Sequence, residues 1–385
     1  MNFPRSAKAG VAALAIGAFT TLPGWAATDQ EITDALTKFS KAGDDKAVVE
    51  LGTPKREGDA LIYGNVVVKD QGGTRETRIA TLKLVNADLN GKGGLKADSL
   101  TAEGISGTSG DTAAKAESLE IVNFDATPPA APGGEGKGRM DSLTITAMEI
   151  TEKDKPPVTI GSLGVEASDF VDDYPHTLSL SVENIVVDPA TAAAGGIDTA
   201  PLKALGYDKL NLSVYAGGAW DQPSGTLTLD EFSVEGADMG TLTLTGTIGG
   251  VTADVMKALG QPNPPPDLIT KLTLSDASLT YEDASLTGRV LDMQAKQMGQ
   301  EKEAFVGQIT AALPMMLAAL QNPPFQDKVA AAAGAFLKDP KNLQITVAPE
   351  KPVPVAEIVG TAQTAPQTLP DALKADVQAN VELEE

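Results

Sequence analysis

Apolar and polar residues alternate along much of this chain, the two-residue period of strands that bury one face. The alternation is phrased. Asp98-Ser99-Leu100-Thr101-Ala102, Glu117-Ser118-Leu119-Glu120-Ile121, Asp141-Ser142-Leu143-Thr144-Ile145 and, more loosely, Gly161-Ser162-Leu163-Gly164-Val165 repeat one pattern. Their serines stand 19, 24 and 20 residues apart, so strand-plus-turn units follow one another about every twenty residues. In the first three units another apolar residue (Ile105, Phe124, Met148) follows five places after the leucine. An odd offset belongs to the opposite face, which predicts a bulge or a strand end in between. These spacings describe a sheet built strand by strand, not a pocketed catalytic domain.

Other elements frame the repeats. Residues 30–40 place Ile32, Leu36 and Phe39 on one helical stripe, with Asp34 near its start. Strands at 60–68 and 78–85 flank the turn Asp70-Gln71-Gly72-Gly73, and Asn90-Gly91 supplies a hairpin-type turn. Asp188-Pro189 and then Ala192-Ala193-Ala194-Gly195-Gly196 mark the best linker. Beyond it, Thr241-Leu242-Thr243-Leu244-Thr245 alternates strictly, predicting leucine inward and threonine outward. From Phe305 the period changes. Ile309, Leu313, Met316, Leu317 and Leu320 share one helical face, with Pro314 expected to kink it. Asn322-Pro323 opens a second helix whose stripe is Phe325, Val329, Ala332, Ala333, Phe336 and Leu337. Both helices are expected to cover the sheet, the stripe from Phe305 to Leu320 facing it. The fold class read from these patterns is mainly β: a long curved antiparallel sheet of Ser-Leu strand units, with amphipathic helices in the C-terminal region. The expected divisions are a signal peptide at 1–26, a helix and repeated strands at 27–190, and strands with covering helices at 191–385.

The first residues bear on compartment. Arg5 and Lys8 precede an apolar run from Val11 to Phe19, a Pro23-Gly24 break, and small residues at Gly24 and Ala26 around Trp25. This is the three-part pattern of a secretory signal, with cleavage expected after Ala26 and the mature chain in the periplasm. The run is too short to cross about 30 Å of hydrocarbon at about 1.5 Å per residue. No later stretch approaches eighteen apolar residues, so a soluble mature chain without a stable membrane span is expected. The formal net charge is −22, and loss of Arg5 and Lys8 takes it to −24. Such a field repels phosphate backbones, which argues against nucleic acid as a partner. With no cysteine, thiolate zinc sites, redox motifs and cysteine nucleophiles are excluded.

Candidate chemistry is sparse. The one histidine, His176, has no Gly-x-Ser-x-Gly elbow to serve. Asp169, Asp172, Asp173 and His176 fall within eight residues and could hold a hard cation, although solvated turns commonly look the same. Asp88-Leu89-Asn90-Gly91-Lys92 opens like a calcium loop but lacks the closing acid, so a hairpin is the better account. Gly134-Glu135-Gly136-Lys137-Gly138 lacks the Ser or Thr and the following helix of a phosphate cradle. Nothing singles out one carboxylate pair among 52 acids. Trp220 is expected to plug a strand end. Met293, Met298, Met315 and Met316 would suit an adaptable apolar lining. No catalytic, cofactor-binding or metal-ligating residue is assigned, and no cofactor is expected.

Leu205-Gly206-Tyr207, Trp220, the stretch Leu274-Ser275-Asp276-Ala277-Ser278-Leu279-Thr280-Tyr281-Glu282-Asp283-Ala284-Ser285-Leu286, Val290 to Gln297 and Phe336 to Leu343 resemble a family of uncharacterised secreted proteins of Gram-negative bacteria. The likeness covers roughly residues 200–370, and the string from Leu274 to Leu286 is its most specific part. It implies export and a β-rich body with a helical C-terminal region, and carries over no catalytic residue. More loosely, the Ser-Leu strands are similar to those of AsmA-like periplasmic proteins, which implies a long sheet with an apolar groove and a role with lipid. The expectation is a non-enzymatic envelope protein that binds or scaffolds, its partner an unknown envelope protein or a lipid. The alternative is a hydrolase acting on an envelope polymer through a carboxylate pair.

Overall fold

The computed structural model describes residues 27–41, 46–127, 137–171, 174–194, 198–259, 261 and 263–383. Residues 1–26, where a signal peptide is expected, lie outside them. The chain is mainly β, with 46% of its residues in strands and antiparallel pairing. It divides into two compact units, one of residues 1–175 with 180–197 and the other of 176–179 with 198–385. Strand Thr177–Val187 therefore contributes to both.

The first unit is a meander. Strands Ala60–Lys69, Arg75–Val85, Leu95–Ser109, Thr112–Thr127, Ser142–Glu152 and Val158–Ser168 pair antiparallel in chain order. The repeat within them is seven residues long and wider than its serines suggest. It runs 59–65, 80–86, 98–104, 117–123, 141–147, 161–167 and 178–184, with leucine always third: Leu61, Leu82, Leu100, Leu119, Leu143, Leu163 and Leu180. The seventh residue is left-handed in six of the seven: Asn65, Asn86, Gly104, Asn123, Ala147 and Asn184, with φ between 49° and 62°. Asn and Gly tolerate this conformation best, which explains why they dominate the position.

That residue is the expected irregularity between the leucine and the apolar residue five places on. It is not a bulge with slipped register. The pairs Thr81↔Glu103 and Ile79↔Ile105 keep the same count on either side of Gly104, as do Glu103↔Ser118 and Ile105↔Ala116. Instead the pleat is broken in place. Two successive residues leave the core face and the eighth returns to it. Third, fifth and eighth residues consequently share one side, as Leu119, Ile121 and Phe124 do, and Leu143, Ile145 and Met148. The breaks line up across the sheet. Asn65, Ala80, Gly104, Glu117, Ala147 and Gly161 form one crease, one residue per strand. Asn86, Asp98, Asn123 and Asp141 form a second, where Asn86 Nδ2 donates to Asp98 (2.7 Å) and Asn123 Nδ2 to Asp141 (2.6 Å). Contact along the first crease is close: a Cβ on Gly104 would meet that of Ala80 at 2.8 Å.

The second unit builds its sheet differently. Strands Leu210–Asp221, Thr226–Gly236, Gly240–Gly249, Thr273–Asp283, Asn342–Val347 and Asp376–Ala379 also pair antiparallel in order. Here irregularities shift the register, at Gly217/Gly218, Leu229/Phe232 and Thr247/Ile248. The expected leucine-in, threonine-out arrangement is reversed. Phe232, Leu244, Leu279 and Ile345 are cross-strand neighbours in one exposed row, with Leu242 exposed beside it. On the other face Ser233 and Thr280, both paired with Thr243, are buried. Their hydroxyls keep partners, Ser233 Oγ donating to Glu231 (2.6 Å) and Thr280 Oγ1 accepting from Gln344 (3.2 Å), which removes most of the cost of burial.

The C-terminal helices also depart in part from expectation. Helix Lys302–Leu317 buries Val306 and Leu313, while Met315, Met316 and Leu320 are exposed, so the stripe from Phe305 does not lie against a sheet as one band. It packs on helices Leu286–Gln297 and Pro323–Lys338, closely enough that a Cβ on Gly334 would come within 3.1 Å of Thr310 Cγ2. An eighteen-residue stretch within Lys302–Leu320 has a mean hydropathy of 1.4, and among the described residues this is one helix long and apolar enough to cross a membrane by length and composition. That corrects the expectation that no later stretch comes close. Helix Pro323–Lys338 does reach the sheet. Asn322 caps it by accepting from Phe325 N (3.1 Å), and buried Phe336 meets Tyr281 edge-on at 6.0 Å.

Candidate binding face

Helix Asp29–Lys41 covers the inner face of the first unit. It starts earlier than its stripe suggests, because Thr28 and Glu31 form a capping box. Thr28 N donates to Glu31 Oε2 (2.8 Å) and Glu31 N to Thr28 Oγ1 (3.3 Å). The bond from the Thr28 backbone holds the Glu31 carboxyl below its ordinary range. Ile32, Leu36 and Phe39 then point down into the sheet, as their spacing predicts. Three polar contacts fix the helix in place. Arg56 Nε donates to Asp29 (2.8 Å), and Ala27 N donates to Asp88 (2.9 Å). Thr33 Oγ1 donates to Asp29 O (2.7 Å), so the hydrogen between Thr33 and the Tyr63 hydroxyl (2.9 Å) comes from the tyrosine. Burial pushes that Tyr63 hydroxyl above its ordinary pKa.

Cover is uneven along the face. Third-position leucines are 1% exposed at Leu61, 2% at Leu82, 3% at Leu100 and 9% at Leu119. Leu143 and Leu163 are only partly buried, and Leu180 is 38% exposed. The same repeated side chain thus passes from sealed core to open surface within one unit.

Beneath the first helix, among well-covered residues, lies a cavity of about 210 Å³. Leu36 and Phe39 line it from the helix, Leu100, Ile121 and Phe124 from the sheet, and Arg139 stands at its edge. Phe124 is the eighth residue of its repeat and reaches the cavity only because Asn123 is left-handed. Arg139 is exposed and lies over the Phe170 ring, 5.9 Å from its centre. Asp125, its direct cross-strand partner, lies on the same side of the strands and accepts from Asn90 Nδ2 at 2.6 Å. Among the described residues no carboxylate forms an ion pair with Arg139.

The residues singled out from sequence lie elsewhere. His176 Nδ1 is 2.8 Å from the Trp220 carbonyl oxygen, which can only accept, so Nδ1 carries the proton. Asp172 and Asp173 lie outside the described residues, and no metal-holding group of acids and histidine occurs among those described. Trp220 is buried at its strand end, with Nε1 donating to Val251 O (2.7 Å). The segment 88–92 is a hairpin, closed by Asn90 N donating to Gly94 O (2.9 Å). Gly134, Glu135 and Gly136 lie outside the described residues. Met298, Met315 and Met316 are exposed and line no part of this cavity. Sequence reasoning missed Arg139. Its only signal was a basic residue directly before Met140, in a chain with far more acids than bases.

No curated protein matches this chain. Residues 233–380 match the model of a family described as an uncharacterized protein, a stretch within the second unit and outside the cavity.

Proposed function

We propose that this is an exported, non-enzymatic envelope protein that acts by binding or scaffolding, and that the thinly covered end of its first unit handles lipid. The loss of cover from Leu61 to Leu180 carries the reading. A face that is apolar by repetition, but sealed only at one end, offers hydrocarbon a place that water occupies at a cost. Export rests on the charged, apolar and small-residue order of residues 1–26. The likeness of residues 200–370 to secreted proteins of Gram-negative bacteria, and of the Ser-Leu strands to AsmA-like proteins, supports the same compartment and ligand class. Native mass spectrometry of protein purified from the periplasm tests it, with a co-purifying lipid or partner as the expected result. N-terminal sequencing should begin at Ala27 or within a residue or two. Intact Met1 in the membrane fraction would overturn the localisation.

A further inference from the structure

We propose that the turn between helices Lys302–Leu317 and Pro323–Lys338 docks on a zwitterionic lipid bilayer, sinking Met315, Met316 and Leu320 among its acyl chains. The turn belongs to the second unit and does not depend on the face described above. No residue from Ala304 to Gln326 is charged, in a chain of which 21% is. Within the helix that stretch has only Gln308 and Thr310 as polar side chains, and Thr310 Oγ1 gives its hydrogen to Val306 O (2.8 Å). A helix apolar on every side is a core helix or one that meets hydrocarbon. A core helix is mostly buried, whereas 17% of the apolar stretch here is. Val306 and Leu313 hold the helix to its neighbours, so it stays on the protein and only its far end enters the bilayer. That end is wide open. Met315 is 78% exposed, Met316 64% and Leu320 39%, with Pro314, Pro323 and Pro324 exposed beside them. Asn322 is turned inward, donating to Gln367 O and Asp371 (3.1 Å each), so Gln321 is the one polar side chain exposed in the turn. Interfaces with proteins centre on aromatic side chains and arginine, and residues 314–324 contain neither. A second copy would bring the same net charge of −22 and be repelled, and that charge opposes anionic lipid as well. Methionine, unbranched and adaptable, suits a fluid partner.

Flotation of the full mature chain with phosphatidylcholine vesicles tests the proposal, and wild type should float. Met315→Ser and Met316→Ser should each weaken partitioning about tenfold, since each withdraws one apolar side chain from lipid. Both side chains are open to water in the structure, so neither change should move the melting temperature. Met298→Ser is the control. Met298 is 59% exposed but precedes the helix, at the end opposite the turn, and its replacement should leave partitioning unchanged. Phosphatidylglycerol added to the vesicles should weaken binding at low salt. No flotation of wild type, equal flotation of wild type and Met315→Ser, an equal loss with Met298→Ser, or tighter binding to phosphatidylglycerol would each overturn the assignment. Self-association of wild type that Met315→Ser abolishes would give the turn to a second copy and overturn the bilayer. A lipid adduct in the native mass spectrum without flotation would remove this docking and leave the binding reading standing. Flotation with no adduct or partner would do the reverse.

Discussion

The two units apply the same alternation rule and obtain opposite surfaces. In the first, leucines on one side of the strands form the core, and a helix with a matching stripe lies on them. In the second, Leu242, Leu244, Leu279 and Ile345 alternate just as regularly and stay exposed, while hydroxyl-bearing Ser233 and Thr280 are inside. Their handling of irregularity differs as well. The first unit breaks its pleat with left-handed residues and keeps register, whereas the second lets register slip at three places. Periodicity separates two faces of a strand; which face is covered depends on what else the chain brings to it.

Truncation on the two leucine faces should show the largest contrast. Leu84→Ala removes a fully buried side chain and should cost about 2–5 kcal/mol, with a cavity left behind. Leu244→Ala should cost about 0.5 kcal/mol or less, as for surface changes. Denaturant unfolding of both variants measures the difference, and equal losses would mean that the exposed row is covered in solution.

The crease residues sharpen the comparison at intermediate scale. Asn123→Val forces a β-branched residue into the left-handed region and removes the bond to Asp141, which should cost about 1–3 kcal/mol. Ala147→Gly should instead stabilise by about 1 kcal/mol or less, since relief of strain exceeds the added chain entropy. No such gain is expected from Gly substitutions in the second unit, where slipped register replaces the left-handed residue. Thermal melts of the pair would decide, and a destabilised Ala147→Gly would remove strain from the account.

Titration should separate the units at opposite ends of the pH scale. In the second, burial first and Asp283 next push the Tyr281 hydroxyl up to about 12. The folded state then holds its proton more tightly than the unfolded chain. Its contribution is complete below pH 10 and is lost as the pH rises towards 12. Tyr281→Phe should flatten that alkaline loss in melting temperature plotted against pH. In the first unit, the Thr74 hydroxyl and the Arg75 backbone hold Asp70 down at about 2. Its sign is reversed. The contribution is present above the ordinary carboxylate pKa and fades as the pH falls through 2. Asp70 is a half-buried turn residue, and Asp70→Asn keeps an oxygen that can accept from Thr74 and Arg75, so it should produce the smallest change, visible only as a shallower acid limb.

Legibility followed the same division. Ile32, Leu36 and Phe39 were readable because a helix stripe and its sheet occur close together in the chain. The Ser-Leu phrase was readable too, but matching on serine hid the repeats at 59–65 and 80–86, where alanine and threonine take its place. The seventh residue was the better signal, because backbone conformation restricts its choice more than packing restricts the second. Burial of Ser233 and Thr280 was not readable, since it depends on partners such as Glu231 and Gln344, the latter far along the chain. Arg139 was equally hidden. Its place over the Phe170 ring joins residues distant in sequence.

The creases also constrain how such a chain changes over generations. The chain segments that meet the second crease also cross the first, and neighbours meet the two in opposite order. A single inserted codon inside a seven-residue unit would carry its left-handed residue off the line shared with the strands beside it. Duplication of a whole hairpin would not, because the copy enters and leaves on the same side and meets each line in step. Length in this unit is therefore inherited in pairs of strands, and a relative differing by one strand would have to reverse the side on which the chain continues.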